Sequence, residues 1–134
     1  MSLGIVLTEK GKVPIWNDET SVSFHEEQYY WYLYPTLIKQ IQNQTGKVID
    51  LYDDAEFEGG SLLILEKIVI NQLIILEQIK EKSWEVHVGT QTYPEKKQIF
   101  ETVKRTTTIE LLEKLLHIVR LAIKQNEKII CLGD

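Results

Sequence analysis

A chain of 134 residues with a net charge of −5 at pH 7 has the length of one domain, and we predict a single domain over residues 1–134. The acidic balance argues against general binding to nucleic acid, because a phosphate-facing surface needs Lys and Arg. The single cysteine, Cys131, excludes an internal disulfide framework and is typical of a reducing compartment.

Neither a secretory signal nor a membrane span is predicted. The first ten residues contain Glu9 and Lys10 instead of a basic start followed by an apolar stretch. The apolar run over residues 62–79 is interrupted by six polar or charged side chains, so it does not indicate a span. We therefore expect a cytoplasmic protein that does not bind membranes.

The N-terminal residues predict a β-hairpin. Two β-prone runs, 4–7 and 12–16, flank residues 9–11, whose Gly11 favours a turn. A helix is expected to follow, because Ser23 and Glu26 have the Ser-x-x-Glu spacing of a capping box. Pro35 should kink or restart this helix, since proline lacks the N–H donor, and Gly46 should cap its end.

Five aromatic residues lie between positions 29 and 34. Six residues of a helix cover more than one and a half turns, so these side chains cannot all point inward. An exposed pair such as Tyr29 and Tyr30, close to Glu26 and Glu27, has the composition of a protein-binding hot spot. The alternative is a core helix with tyrosine hydroxyl groups at its rim.

A long helix is predicted over residues 62–80, with Ser61 as its N-cap after two glycines. Its many β-branched residues leave a strand as the alternative for a fragment, but the length favours a helix. Most of its polar positions fall in one sector, leaving a wide apolar surface. This pattern is typical of a central helix that is covered on several sides.

The C-terminal half predicts a second mixed segment. Residues 84–88 alternate like a strand, 94–97 form a turn, and 98–103 return as the partner strand or form a helix. Residues 109–125 form an amphipathic helix capped by Thr107 or Thr108, and 128–132 form a buried strand. The predicted fold class is α+β, a helix-dominant domain with a long central helix, a C-terminal amphipathic helix and a small antiparallel sheet.

Between positions 50 and 58 the chain carries five carboxylates and no Lys or Arg. So dense a block of one sign is costly to fold unless water, a cation or a basic partner lies opposite it. The first sixty residues contain four basic and ten acidic side chains, so the net negative charge resides there. We predict a binding face for a basic protein, made of Asp50, Tyr52, Asp53, Asp54, Glu56, Glu58, Tyr29 and Tyr30.

Other interpretations of the acidic block stay open. Its oxygens could bind Ca²⁺ or Mg²⁺, although the calcium-loop pattern is absent and Tyr52 and Phe57 are large for such a loop. A pair of carboxylates could serve a small hydrolase, which needs one of them buried and protonated. The block could also be only a solvated loop. No nucleophile elbow, dinucleotide turn or phosphate loop occurs, so we expect no enzyme, no metal and no cofactor.

In layout the chain resembles the small immunity proteins that are encoded beside bacterial polymorphic toxins, including those of contact-dependent inhibition systems. The resemblance covers roughly residues 24–134 and is carried by Tyr29-Tyr30-Trp31-Tyr32, by residues 49–55, by Trp84-Glu85-Val86 and by the ending 122–134. It implies a non-enzymatic inhibitor that blocks a toxin's active site or a neighbouring surface.

The leading hypothesis is therefore an immunity protein that docks a basic, nuclease-like toxin. The oligomeric state is open, with a monomer favoured. The second hypothesis is the small hydrolase with paired carboxylates. A third hypothesis is a structural or regulatory module that assembles through the apolar helix at 62–79.

Overall fold

The computed structural model of the protein describes residues 3–133, and its fold is α+β, as the sequence predicts. Two antiparallel sheets are present rather than one small sheet. The strands are β1 (Leu3–Thr8), β2 (Ser21–Phe24), β3 (Ala55–Phe57), β4 (Ser83–Gln91), β5 (Lys97–Lys104) and β6 (Lys128–Gly133). The helices are α1 (Glu27–Leu33), α2 (Lys39–Thr45), α3 (Gly60–Gln78) and α4 (Arg105–Gln125).

The larger sheet has the strand order β2-β1-β6-β3. Its inner face carries buried side chains that alternate along the strands, such as Ile5, Phe57 and Cys131, and α4 packs on β1, β2 and β6. On the opposite face lie Glu56 and Lys128. The strand β3 forms one edge of the sheet, so the end of the acidic block is held by hydrogen bonds to the C-terminal strand.

The predicted N-terminal hairpin is wrong. Residues 12–16 form no strand, and β1 instead pairs with β2, where Gly4 faces Ser23. Pro14 cannot donate to a sheet ladder, which disfavours a strand in this segment. The predicted capping box is also wrong, because Ser23 lies in β2 and α1 begins at Glu27 with Glu26 as its N-cap.

The predictions for Pro35 and Gly46 are confirmed. Pro35 lies in a π-helical turn, Tyr34–Ile38, that separates α1 from α2. Gly46 ends α2 in the left-handed conformation with φ 76°, and its N–H donates to the carbonyl of Gln42. Only glycine adopts this backbone conformation without a steric cost.

The predicted long helix is present as α3, but it is not covered on several sides. It packs against α2 and α4 through residues such as Leu65, Val69 and Leu76, all of which are fully buried. Other apolar residues of α3 remain exposed to solvent, among them Ile74 and Ile75. Its N-cap is Gly59 and not Ser61.

The C-terminal half follows the sequence prediction closely. Segment 98–103 is a strand within β5, and it pairs with β4 as a hairpin. The predicted cap of α4 is wrong: the helix begins at Arg105, and the Thr108 hydroxyl donates to the carbonyl of Lys104. None of the helices within residues 3–133 combines the length and the apolar character needed to cross a bilayer.

Candidate protein-binding face

The acidic block forms a loop between α2 and α3 that is anchored by apolar side chains at both ends. Leu51 and Phe57 are buried in the core, whereas Tyr52 between them is 64% exposed. Asp53 and Asp54 follow and are both exposed. The pattern arises because two apolar residues six positions apart hold the segment to the core and leave Tyr52, Asp53 and Asp54 in water.

Two hydrogen bonds fix the start of the loop. The buried Tyr30 hydroxyl donates to the carbonyl oxygen of Ile49 at 2.7 Å. One position further, the Asp50 carboxylate accepts a hydrogen bond from the Tyr52 backbone N–H at 2.9 Å, which is the pattern of an Asx turn. Asp50 is half-buried and so serves the shape of the loop more than its outer surface.

The middle of the loop rests on the last strand. The backbone N–H of Gly133 donates to the Asp54 carboxylate at 3.1 Å. Gly133 also approaches the backbone of Tyr52 and Asp53 so closely that a Cβ atom would have no room. A glycine is required here by the close approach of two backbones, not by its dihedral angles.

At the end of the block, two lysines contact Glu56. The Lys128 ammonium group lies 3.3 Å from the Glu56 carboxylate, and Lys47 donates a hydrogen bond to the Glu56 carbonyl oxygen. Lysine beside an edge strand also discourages pairing with another chain. The Ser61 hydroxyl then closes the turn, since it donates to the carbonyl of Glu58 at 2.7 Å and accepts from the N–H of the same residue.

The loop keeps an excess of negative charge after these contacts. Five carboxylates face two ammonium groups, those of Lys47 and Lys128, which leaves three negative charges in excess. The side chains of Asp53 and Glu58 make no hydrogen bond or ion pair with any other residue that the structure describes. We call the exposed part of this segment the acidic face, and it consists of Tyr52, Asp53, Asp54, Glu56 and Glu58.

The predicted exposure of Tyr29 and Tyr30 is wrong, and neither residue belongs to the acidic face. Their exposed fractions are 4% and 3%, and both rings are part of the core. The Tyr29 hydroxyl accepts a hydrogen bond from the backbone N–H of Lys104, in the second sheet. Burial, and then the nearby charge of Asp50, raises the pKa of Tyr30 to about 12. The alternative of a core helix is therefore the correct one, and the structure adds that both hydroxyl groups are hydrogen-bonded.

A shallow groove of about 110 Å³, lined by apolar residues together with Asn126 and Glu127, adjoins the acidic face. Gly59, at the end of the acidic block, lines it together with Leu63 of α3 and Ile123 of α4. Leu63 is 56% exposed and so offers apolar surface in this groove. Sequence analysis missed this groove, because it arises where the start of α3 meets the end of α4.

Comparison with models of protein families, with curated proteins and with solved structures found no match for this chain. Within residues 3–133, no three His, Cys, Asp or Glu side chains are arranged so that they could hold a metal ion.

Proposed function

We propose that the protein is a cytoplasmic immunity protein that binds a basic protein toxin through the acidic face and neutralises it without turnover. The observation that carries this proposal is a solvent-exposed loop with three excess negative charges that the fold holds in one conformation. A toxin that cleaves nucleic acid is the fitting partner, because its active site must be cationic to hold phosphates.

The anchoring of the loop supports a role in binding. Hydrogen bonds from Tyr30, Gly133 and Ser61 hold its start, middle and end, so little conformational entropy is lost when a partner docks. Complementary charge then raises the rate of encounter and disfavours wrong partners. Tyr52 supplies an exposed aromatic ring of the kind that forms interface hot spots, and the groove beside Leu63 adds apolar surface.

The exposure of the carboxylates favours binding over the hydrolase alternative. A general acid needs a carboxyl group that is buried enough to stay protonated near neutral pH. Asp53, Asp54, Glu56 and Glu58 are all exposed. The mechanism that we propose is therefore occlusion of a cationic cleft, with no cofactor, metal or nucleic acid taking part.

The test starts from the gene directly upstream of the one for this chain, where the proposal expects a toxin domain. Co-expression of the chain should restore growth of cells that express this domain. The association rate of the purified pair should fall roughly tenfold between about 50 and about 300 mM NaCl, since salt screens the attraction between exposed charges. Asp53→Lys with Asp54→Lys should lower the association rate by a similar factor.

A matched control separates the acidic face from the net charge. Glu110→Lys with Glu113→Lys changes the net charge equally, but both residues lie on the exposed side of α4. This variant should associate nearly as fast as the wild type. If the two double variants lowered the association rate equally, or if the association rate did not change with salt, the acidic face would not be the binding surface.

A further inference from the structure

The side of α3 that faces away from α2 and α4 is exposed, and it carries both apolar and polar side chains. Leu63, Ile74 and Ile75 are 56%, 49% and 50% exposed, and Ile70 is partly exposed. The remaining apolar residues of the helix are packed against α2 and α4. Ile70 and Ile74 lie one turn apart on this side and form a small apolar strip.

The exposed face has the spacing of a coiled-coil seam. Leu63, Lys67, Ile70, Ile74 and Glu77 follow one another at intervals of four, three, four and three residues. On a helix with 3.6 residues per turn these five positions fall within a sector of about 80°. In the heptad notation abcdefg, Lys67 and Ile74 are at position a, and Ile70 and Glu77 are at position d.

The seam is complementary to a second copy of itself in one antiparallel register. When Ile70 of one copy faces Ile74 of the other, Lys67 faces Glu77. A two-fold axis repeats each contact, so the interface gains two ion pairs that flank two isoleucine layers. A parallel pairing would instead place Lys67 against its own copy and Glu77 against its own copy, which is repulsive. Sliding the antiparallel pair by one heptad would place Lys67 opposite Ile70 and leave its charge unpaired.

Both charges are available for such a contact. Lys67 and Glu77 are exposed, and neither forms an ion pair with another residue in the range 3–133. By contrast, Glu66 one position away is paired with Arg120 of α4 at 3.2 Å. Within α3, Glu66 therefore has an ion-pair partner in the same molecule, whereas Lys67 and Glu77 of the seam have none among residues 3–133.

We propose that the protein forms an antiparallel homodimer through this seam of α3, with Lys67 and Glu77 setting the register. This inference does not use the carboxylates of the acidic face and shares only Leu63 with the proposed function, and it replaces the monomer that the sequence favours. A helix of 19 residues is only about 28 Å long, so the interface lies at the small end of the range for stable complexes. The dimer should therefore be reversible and depend on protein concentration.

The first test is a charge swap followed by sedimentation velocity. The wild type should change from monomer to dimer as its concentration rises from roughly 5 to 500 µM. Lys67→Glu and Glu77→Lys should each raise the dimer dissociation constant roughly tenfold or more, because each creates two repulsive pairs. The double variant restores both ion pairs in reversed order, so its dissociation constant should return to within about threefold of the wild type.

A second test compares two neighbouring isoleucines. Ile74 lies on the seam, whereas Ile75 is rotated by about 100° away from it, yet the two are equally exposed. Ile74→Glu should abolish the dimer, and Ile75→Glu should leave it nearly unchanged. Since both residues are half exposed, both variants should retain the wild-type circular dichroism spectrum.

The register is tested by disulfide formation between differently labelled copies. A mixture of Lys67→Cys and Glu77→Cys should form a cross-linked heterodimer under mild oxidation. Either variant alone should not, because like positions lie about 15 Å apart along the axis, beyond the reach of a disulfide. The native Cys131 is buried and does not compete. The proposal would be overturned if the wild type stayed monomeric over the whole concentration range. It would also be overturned if Lys67→Glu left the dimer dissociation constant unchanged.

Discussion

Replacing Gly133 by alanine should displace the acidic face from its position. A Cβ atom there would lie 2.7 Å from the carbonyl carbon of Tyr52 and closer still to the backbone N and O of Asp53. Backbone atoms cannot rotate away as a flexible side chain does, so the loop or the end of β6 has to move. The movement should also break the hydrogen bond from the Gly133 N–H to Asp54.

The size of the effect follows from two contributions. Forcing an extra methyl group into a filled site typically costs about 1–3 kcal/mol. Losing a hydrogen bond to a charged acceptor costs about 1.5–3 kcal/mol when the pair is buried, and less here, because Asp54 is exposed and water can replace the donor. Since the loop lies at the surface and can yield, we expect the free energy of unfolding to fall by about 1–2 kcal/mol.

Urea unfolding followed by circular dichroism measures this change, and Gly89→Ala is the matched control. Gly89 also lies in a strand, but nothing lies within 4 Å of a Cβ atom there, so its variant should stay within about 0.5 kcal/mol of the wild type. Amide NMR shifts should move at Tyr52, Asp53 and Asp54 in Gly133→Ala only. Wild-type stability together with unchanged shifts at these three amides would refute the steric argument.

Further predictions concern the buried groups near the loop. Tyr30→Phe leaves the buried carbonyl of Ile49 without its donor and should lower the free energy of unfolding by about 1–2 kcal/mol in urea titrations. The pKa of Tyr30 is about 12 in the folded protein and near 10 when unfolded, so stability should be retained below pH 10 and fall as pH rises toward 12. A profile that stays flat over this interval would contradict the burial of its hydroxyl group. Burial, and then the charge of Asp54, raises the pKa of Cys131 to about 12, so a thiol reagent should label it only at the rate of unfolding. Prompt labelling in native buffer would show that β6 opens independently.

The exposure of the acidic block was predictable from the sequence, but its anchoring was not. A run of five carboxylates without a basic residue cannot be buried, so its exposure follows from composition alone. The contacts that hold it come from Tyr30, Lys128 and Gly133, which lie far away in the chain. Nothing in the local pattern marks these residues as partners of the loop.

The burial of Tyr29 and Tyr30 could not be predicted from the sequence either. Tyrosine is amphipathic, and composition alone does not distinguish an exposed hot spot from a core ring with a bonded hydroxyl group. The acceptor and donor that decide the matter are the carbonyl of Ile49 and the N–H of Lys104. Both become neighbours only when α1 packs beside the acidic loop and the second sheet.

Local periodicity was sufficient for the elements whose pattern is long or regular. The sequence by itself indicated α4, the helix α3, the strand β4 and the terminal strand β6, because a helix or strand repeats its buried face every few residues. For β5 it left a strand and a helix open. It indicated a strand at β1 but gave it the wrong partner, because the pairing of β1 with β2 and β6 is decided by the tertiary structure. The tertiary structure also decided which apolar face of α3 stays exposed, since that depends on how many neighbours reach the helix. Periodicity is set by contacts within a few residues, whereas pairing and exposure are set by contacts between residues that are distant in sequence.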